Sequence, residues 1–371
     1  MNPFVYGTVV SGKHFFDRKE ETSRIVKTLS GGNNMVLYAP RRFGKTSLIY
    51  KAMAELEKKG HICVYFDFMP VYSADSFVRA YSKALADKQN NLSNFAKTFS
   101  TLIKGLRPVI SFNKEGLPEF SVNFESKNID ETAISSLLDI TETLSAKGKR
   151  TLVFFDEFQE VVKLKGLKFE ALLRSKTQRQ SKTNYLFFGS KTHLISDMFN
   201  NKKRAFYNAA MQMSIGALPE NETIEYLQRN LAKNKLADNL AKYLIEKAGA
   251  IPHYIQMLAG EIWQCCIGNK SVITKNIIDD CAAKIVELKS DYYMELFDRQ
   301  SQTKKQLLWA ISKSGKNIFS IAYQNKFRLP AAATVQRAAK ELLLEGILEK
   351  LNEEYFIADP FFKMFIESKS K

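Results

Sequence analysis

In the first 216 residues, short apolar runs alternate with longer amphipathic stretches. Met35–Tyr38, Ile62–Phe68, Thr151–Phe155 and Tyr185–Phe188 are each four to seven residues long and almost continuously hydrophobic. Runs of that length and uniformity suit strands of a parallel sheet covered on both faces. Gln212–Ile215 supplies a further short strand. Between the first two runs, Leu48, Ile49, Ala52, Met53 and Leu56 recur at helical spacing, which predicts a helix over Thr46–Leu56. Ser76–Leu106 and Asp130–Ala146 read as helical stretches. An earlier helix starts after Asp17, a residue suited to an N-cap, and stops before Gly31-Gly32. The resulting β–α–β–α–β series predicts an α/β fold with a doubly wound parallel sheet and ligands at the carboxyl ends of its strands. Val109–Phe124 alternates apolar and polar positions around Asn113-Lys114-Glu115-Gly116, the pattern of an exposed hairpin inserted at about residues 107–126.

From Leu218-Pro219 onward the period turns helical. Helices are predicted over Glu222–Leu231, Ala237–Ala248, His253–Cys266 and Asn276–Phe297, with a breaker at Gly249-Ala250-Ile251-Pro252. The tail predicts three more helices, Lys304–Ser312, Phe319–Phe327 and Ala332–Glu345. Two short strands around Asn352-Glu353-Glu354 follow, together the pattern of a winged helix-turn-helix. The chain therefore divides into an α/β core (1–216), an all-α lid (217–298) and a winged-helix domain (299–371). A length of 371 residues accommodates two or three domains.

The segment after the first strand carries the chemistry. Ala39–Thr46 has the form A-x-x-x-x-G-K-T, a phosphate-binding loop with Ala in place of its leading Gly. Pro40, Arg41, Arg42, Phe43, Gly44, Lys45, Thr46 and Ser47 bring backbone N–H groups to a helix N-terminus, where a triphosphate is favoured by both the N–H groups and the macrodipole. Lys45 is assigned to the β- and γ-phosphates of ATP and the Thr46 hydroxyl to Mg²⁺. The strand Thr151–Phe155 ends in Asp156-Glu157. Asp156 is the second expected Mg²⁺ ligand, because a hard cation takes oxygen donors. Glu157, one residue on, is placed to activate water. Ser190, at the end of the next strand, either senses the γ-phosphate or closes a Gly-Ser turn.

Charge widens the choice of partners. The net charge is +16 and the pI about 9.4. Between Lys147 and Arg204 fourteen Lys and Arg face five acids. Such a window either tracks a nucleic-acid backbone or an acidic partner, or is a solvated basic face. In the tail, Thr334, Gln336, Arg337 and Lys340 would meet a duplex DNA major groove. Glu341, Glu345 and the acidic wing tip oppose it, so a protein partner stands equally. Cys63, Cys265, Cys266 and Cys281 lack metal-ligand spacing and read as reduced thiols. No apolar stretch reaches the length of a membrane span and no secretory signal is read, so a cytoplasmic protein without membrane contact is expected.

Phe15-x-x-Arg18-x-x-Glu21, Pro40-Arg41-Arg42-x-Gly44-Lys45-Thr46-Ser47 and Asp156-Glu157-Phe158-Gln159 together resemble the prokaryotic (archaeal-type) P-loop ATPase family, in the STAND branch allied to AAA+ ATPases. Gly189-Ser190 and Gly249-x-x-Pro252 extend the resemblance, which runs from about Tyr6 to the C-terminus. It implies an ATPase core that exchanges ATP and ADP, a helical lid and a winged-helix tail, with a nucleotide-dependent oligomer as one outcome. It also implies that Phe15, Arg18 and Pro252 line the adenine and that Ser190 is a sensor. Relatives often have Tyr-Gly-Arg before the last strand, where this chain has Tyr207-Asn208-Ala209. An arginine finger would then have to be Arg174 or Arg204. Without one, hydrolysis is slow or partner-stimulated, since a finger contributes roughly 10³–10⁵ in rate.

Overall fold

A computed structural model describes residues 2–8, 18–124, 131–145, 148–164, 168–231, 236–266, 272–351 and 353–369. The chain separates into two compact units. An N-terminal unit holds Lys19–Ala39 and Leu48–Ile215. A C-terminal unit holds Met1–Arg18, Pro40–Ser47 and Gly216–Lys371.

The N-terminal unit opens with α1 (Lys19–Ser30), β1 (Met35–Tyr38), α2 (Lys45–Lys58) and β2 (Ile62–Asp67). The predicted stretch 76–106 is two helices, α3 (Ala74–Ala86) and α4 (Leu92–Leu102). The break has a local cause: Asn91 caps α4, its side chain accepting the N–H of Asn94 at 2.9 Å. The hairpin follows as β3 (Leu106–Phe112) and β4 (Pro118–Phe124), paired antiparallel from Leu106 opposite Phe124 to Phe112 opposite Pro118. It seats Phe120 against Phe95 and Phe99, while its tip stays exposed.

Then come α5 (Glu131–Leu144), β5 (Thr151–Asp156), α6 (Phe169–Arg179), β6 (Thr183–Gly189), α7 (Thr192–Asn200) and β7 (Met211–Ser214). The sequence pattern did not single out α6 or α7. The sheet order is β2-β5-β6-β1-β7, and every pairing is parallel. Every residue of β5 and β6 is buried, as apolar runs covered on both faces require. Asp17, Asp130 and Ala146, expected at helix ends, lie outside the described residues.

The C-terminal unit contains α8 (Glu220–Asn230), α9 (Asp238–Lys247), α10 (Pro252–Cys266), α11 (Lys275–Leu288) and α12 (Ser290–Asp298). The predicted single helix 276–297 is thus broken at Lys289, whose ψ of 8° leaves the helical range. Next are α13 (Gln302–Lys313), α14 (Ile321–Phe327), α15 (Ala332–Leu344), β8 (Leu348–Leu351), β9 (Glu354–Ile357) and a helix not anticipated, α16 (Pro360–Ser368). β8 and β9 form the antiparallel wing, with Leu351 opposite Glu354. Gly315 lets the chain pass against this wing. A Cβ there would lie 1.6 Å from the Tyr355 carbonyl oxygen, and the Tyr355 N–H donates to the Gly315 carbonyl at 3.0 Å. One continuous apolar core runs from Ile224 through Ile366 and includes Phe4 and Phe43. The expected lid and winged-helix segments therefore share a single core.

Candidate active site

All five strands of the sheet point the same way, so their carboxyl ends form one edge. Tyr38, Asp156 and Gly189 lie there, at the ends of β1, β5 and β6. The chain leaves β1 at this edge and enters the phosphate loop, which belongs to the C-terminal unit. Within that loop Arg42 (φ 70°) and Gly44 (φ 79°) are left-handed. Left-handed residues interspersed in a loop turn successive N–H groups to one side, the concavity that holds an anion. Among the described residues, Gly44 has no neighbour within 4 Å of an added Cβ. Lys45 opens the 14-residue α2 and is buried, with Thr46 half-buried beside it. These donors fit a polyphosphate at a helix N-terminus.

Phe43 anchors the loop by insertion into the apolar core of the C-terminal unit. Arg18, buried and left-handed (φ 65°), donates through Nη2 to the carbonyls of Phe43 at 3.3 Å and Gly216 at 2.7 Å. The residue expected against adenine thus braces the loop's main chain. Phe15 lies outside the described residues. Pro252 starts α10 after two left-handed residues, Gly249 and Ala250. The N–H of the following His253 donates to the Arg42 carbonyl at 3.3 Å. Burial, then the charges of Arg42 and Lys289, push the His253 imidazole down to about 4, so it is neutral near pH 7.

The carboxylates occupy the N-terminal unit. Asp156 is buried at the end of β5 and accepts the Tyr65 hydroxyl through Oδ2 and the Glu157 N–H at 2.7 Å through Oδ1. Burial, with the Asp156 charge beside it, raises the Tyr65 phenol well above its ordinary value and keeps it a donor. Glu157 is left-handed (φ 47°), a conformation that a non-glycine residue adopts only under constraint. Its Oε2 accepts the Ser190 hydroxyl at 2.9 Å, the Ser190 N–H at 3.2 Å and the Gln159 amide at 2.5 Å. Ser190 and Gln159 therefore orient the carboxylate one residue beyond Asp156. A Cβ on Gly189 would stand 2.0 Å from Gln159 Oε1, so the glycine leaves Gln159 room to lie beside Glu157. No cluster of three or more His, Cys, Asp or Glu suited to a metal occurs among the described residues. A cation held by one hydroxyl, one carboxylate and phosphate oxygens needs no such cluster.

The two finger candidates have partners in the N-terminal unit. Arg174 Nε donates to the Ala205 carbonyl at 3.2 Å. Arg204 pairs with Glu170 at 2.9 Å and Asp197 at 3.7 Å. Other cations of the basic window are engaged as well: Lys176 with Asp139, Lys163 and Lys191 with Glu160, and Arg150 with Asn184 and the Ser181 carbonyl. On α15, Thr334, Gln336, Arg337 and Lys340 are exposed, but Arg337 pairs with Glu341 at 3.1 Å. Lys304 also binds Glu341 and Glu345. No helix among the described residues is long and apolar enough to cross a membrane, and all four cysteines are free.

Comparison with known proteins agrees with this arrangement. Residues 15–176 match the family described as an ATPase domain predominantly from Archaea. Residues 291–368 match a probable winged helix domain. No curated protein matches the chain. Among solved structures, a Walker-type ATPase of Pyrococcus abyssi is similar in fold, with a TM-score of 0.66 at 16% identity over 99% of this chain and 100% of that one. The ORC2 protein of Aeropyrum pernix, in ADPNP–ADP complexes, gives 0.53 at 12% identity over 100% and 98%. Its ADP form gives 0.54 at 11% over 98% and 97%. The chain thus carries an archaeal-type ATPase domain and a C-terminal winged helix domain, on a P-loop NTPase-like parallel sheet.

Proposed function

We propose that this chain, an archaeal-type ATPase domain joined to a winged helix, binds ATP, hydrolyses it slowly, and uses the difference between ATP and ADP as a conformational switch. One observation carries the reading. A loop with left-handed residues at 42 and 44 opens α2 directly after β1, and β5, two strands away on the same sheet edge, ends in an oriented carboxylate pair.

The loop N–H groups and Lys45 bind the β- and γ-phosphates. Thr46 and Asp156 would hold Mg²⁺, which when bound neutralises charge on the phosphate oxygens. Glu157 takes the proton of the attacking water as its oxygen bonds to the γ-phosphorus. The bond from that phosphorus to the β-bridging oxygen breaks, and ADP and inorganic phosphate leave. Ser190, bonded to Glu157, senses whether the γ-phosphate is present. A change there alters which groups Glu157 contacts, and the lid and winged-helix segments (217–298 and 299–371), which share one core, respond together. Phe15 and Pro252 flank the adenine in this reading. With Arg204 paired to two carboxylates, Arg174 is the candidate for neutralising transition-state charge, and turnover is slow or awaits a partner.

Phosphate release by the purified chain is the direct test. Lys45→Ala should abolish binding, read as loss of the ligand-induced rise in thermal stability, a rise of about 4 kcal/mol at a thousand times Kd. Glu157→Gln should keep ATP but lose roughly 10²–10⁴ in rate. Unchanged phosphate release in that variant removes Glu157 as the base. The exposed face of α15 favours a second reading, in which duplex DNA is the partner. Affinity for duplex would then fall with salt at a log–log slope near −0.9 per phosphate contacted. A flat response leaves the winged helix as a protein-binding element.

A further inference from the structure

The paired arginines of the phosphate loop are not accounted for by nucleotide binding. Two cations inside a triphosphate loop suggest two phosphate contacts, but their partners come from the far end of the chain. The Arg42 guanidinium lies 5.0 Å over the Tyr254 ring, and its Nη1 is 3.6 Å from Asp359 Oδ2. That same oxygen accepts the Tyr293 hydroxyl at 3.0 Å and faces Lys289 Nζ at 3.8 Å. The other oxygen of Asp359 caps α16, accepting the N–H groups of Phe361 at 2.9 Å and Phe362 at 3.3 Å.

Arg41 is held separately. Its backbone N–H donates to the carboxylate of Glu349, a buried residue of β8. Its Nη1 would be 3.3 Å from a Cβ on Gly346, so the glycine that ends α15 leaves the guanidinium room. With the His253 N–H on the Arg42 carbonyl, the outer side of the loop is gripped at main chain and side chain by α10, β8 and the start of α16. A non-glycine residue keeps the left-handed conformation of Arg42 only when its surroundings impose it. Here the surroundings are the Asp359 carboxylate, the Tyr254 ring and the His253 N–H.

We propose that Asp359 is a positioning residue for the nucleotide loop: through Arg42 it keeps the loop in its anion-binding conformation. Loop occupancy and the seating of the winged-helix tail are thereby one equilibrium. Release of the tail relaxes the loop and weakens nucleotide binding. By reciprocity, bound nucleotide holds the tail in place. This rests on the nucleotide reading above and names the regulation of that site.

Asp359→Asn separates the grip from the fold, because asparagine caps α16 about as well but carries no charge for Arg42. In the full-length protein, Asp359→Asn and Arg42→Ala should each weaken ADP and ATP binding about tenfold, within the usual range of intramolecular coupling. KM for ATP should rise while kcat stays within about twofold. The double variant should be no weaker than either single one, since both break one contact. Unchanged affinity, or a double loss equal to the product of the single losses, overturns the proposal.

A second measurement is independent of nucleotide. Amide exchange of the unliganded protein should speed up in both 40–47 and 346–361 in either variant, with thermal melting still cooperative. If the wild type binds no nucleotide, the nucleotide reading fails and the exchange result alone decides the grip. Unaltered exchange in those segments overturns it.

Discussion

Each of the two units is held together internally in its own way. In the N-terminal unit the sheet is locked by aromatic rings: Phe155, Phe158, Phe187, Phe199 and Phe206 touch at centroid distances of 4.7–6.1 Å. The carboxylates of the candidate site stand at the end of the fully buried β5. In the C-terminal unit, the loop that would meet the nucleotide is held by the ion pair of Arg42 with Asp359, beside the buried Glu349. Apolar packing is non-directional and hard to switch. Ion pairs and buried carboxylates respond to pH, salt and competing charge. The sheet thus offers a fixed edge, and the loop a conformation that can be released.

The largest expected effect breaks the rigid side. Phe187→Ala removes a fully buried ring amid five aromatic neighbours and should cost about 3–5 kcal/mol in denaturant unfolding. A loss below about 1 kcal/mol would show that the ring cluster does not carry the sheet.

Next is the pH response of the other side. Burial raises the Glu349 carboxyl to about 7, against the lowering effect of Arg41. The folded state therefore keeps a proton there that the unfolded chain releases near pH 4.5. The extra stability is fully present below about 4.5 and is lost as pH rises through 7, about 3 kcal/mol in all. Glu349→Gln should flatten that part of the stability–pH curve, and an unchanged slope would assign the titration elsewhere. Phe187→Ala should leave the slope as it is.

The smallest effect sharpens the contrast. Lys88 and Glu57 form an exposed pair 2.8 Å apart in the N-terminal unit. Lys88→Ala should shift stability by less than about 1 kcal/mol, as exposed pairs do. A larger loss would mean that surface charge matters to this unit too.

The strands were legible because a fully covered parallel strand must be an unbroken apolar run. Met35–Tyr38 was read with its observed bounds, and the other runs within one or two residues of theirs. Lys45, Asp156 and Glu157 stood out because their spacing from strand ends is local. The break at Lys289 and the cap at Asn91 were missed, since helical periodicity runs through both. The α16 helix was missed although Asp359-Pro360 is a capping residue followed by proline at the first helical position, a signal that could have found it.

By itself the sequence determined the strand–loop–helix unit, the carboxylate pair beyond β5 and the helical, winged character of the tail. Each depends on residues within a few positions of one another. Only the tertiary structure decided that Ser190 orients Glu157, that Arg18 braces Phe43, and that Arg42 is answered by Asp359. Those pairs lie from 25 to more than three hundred residues apart. Which charge meets which is set by how the core closes around them, and no short-range pattern records that.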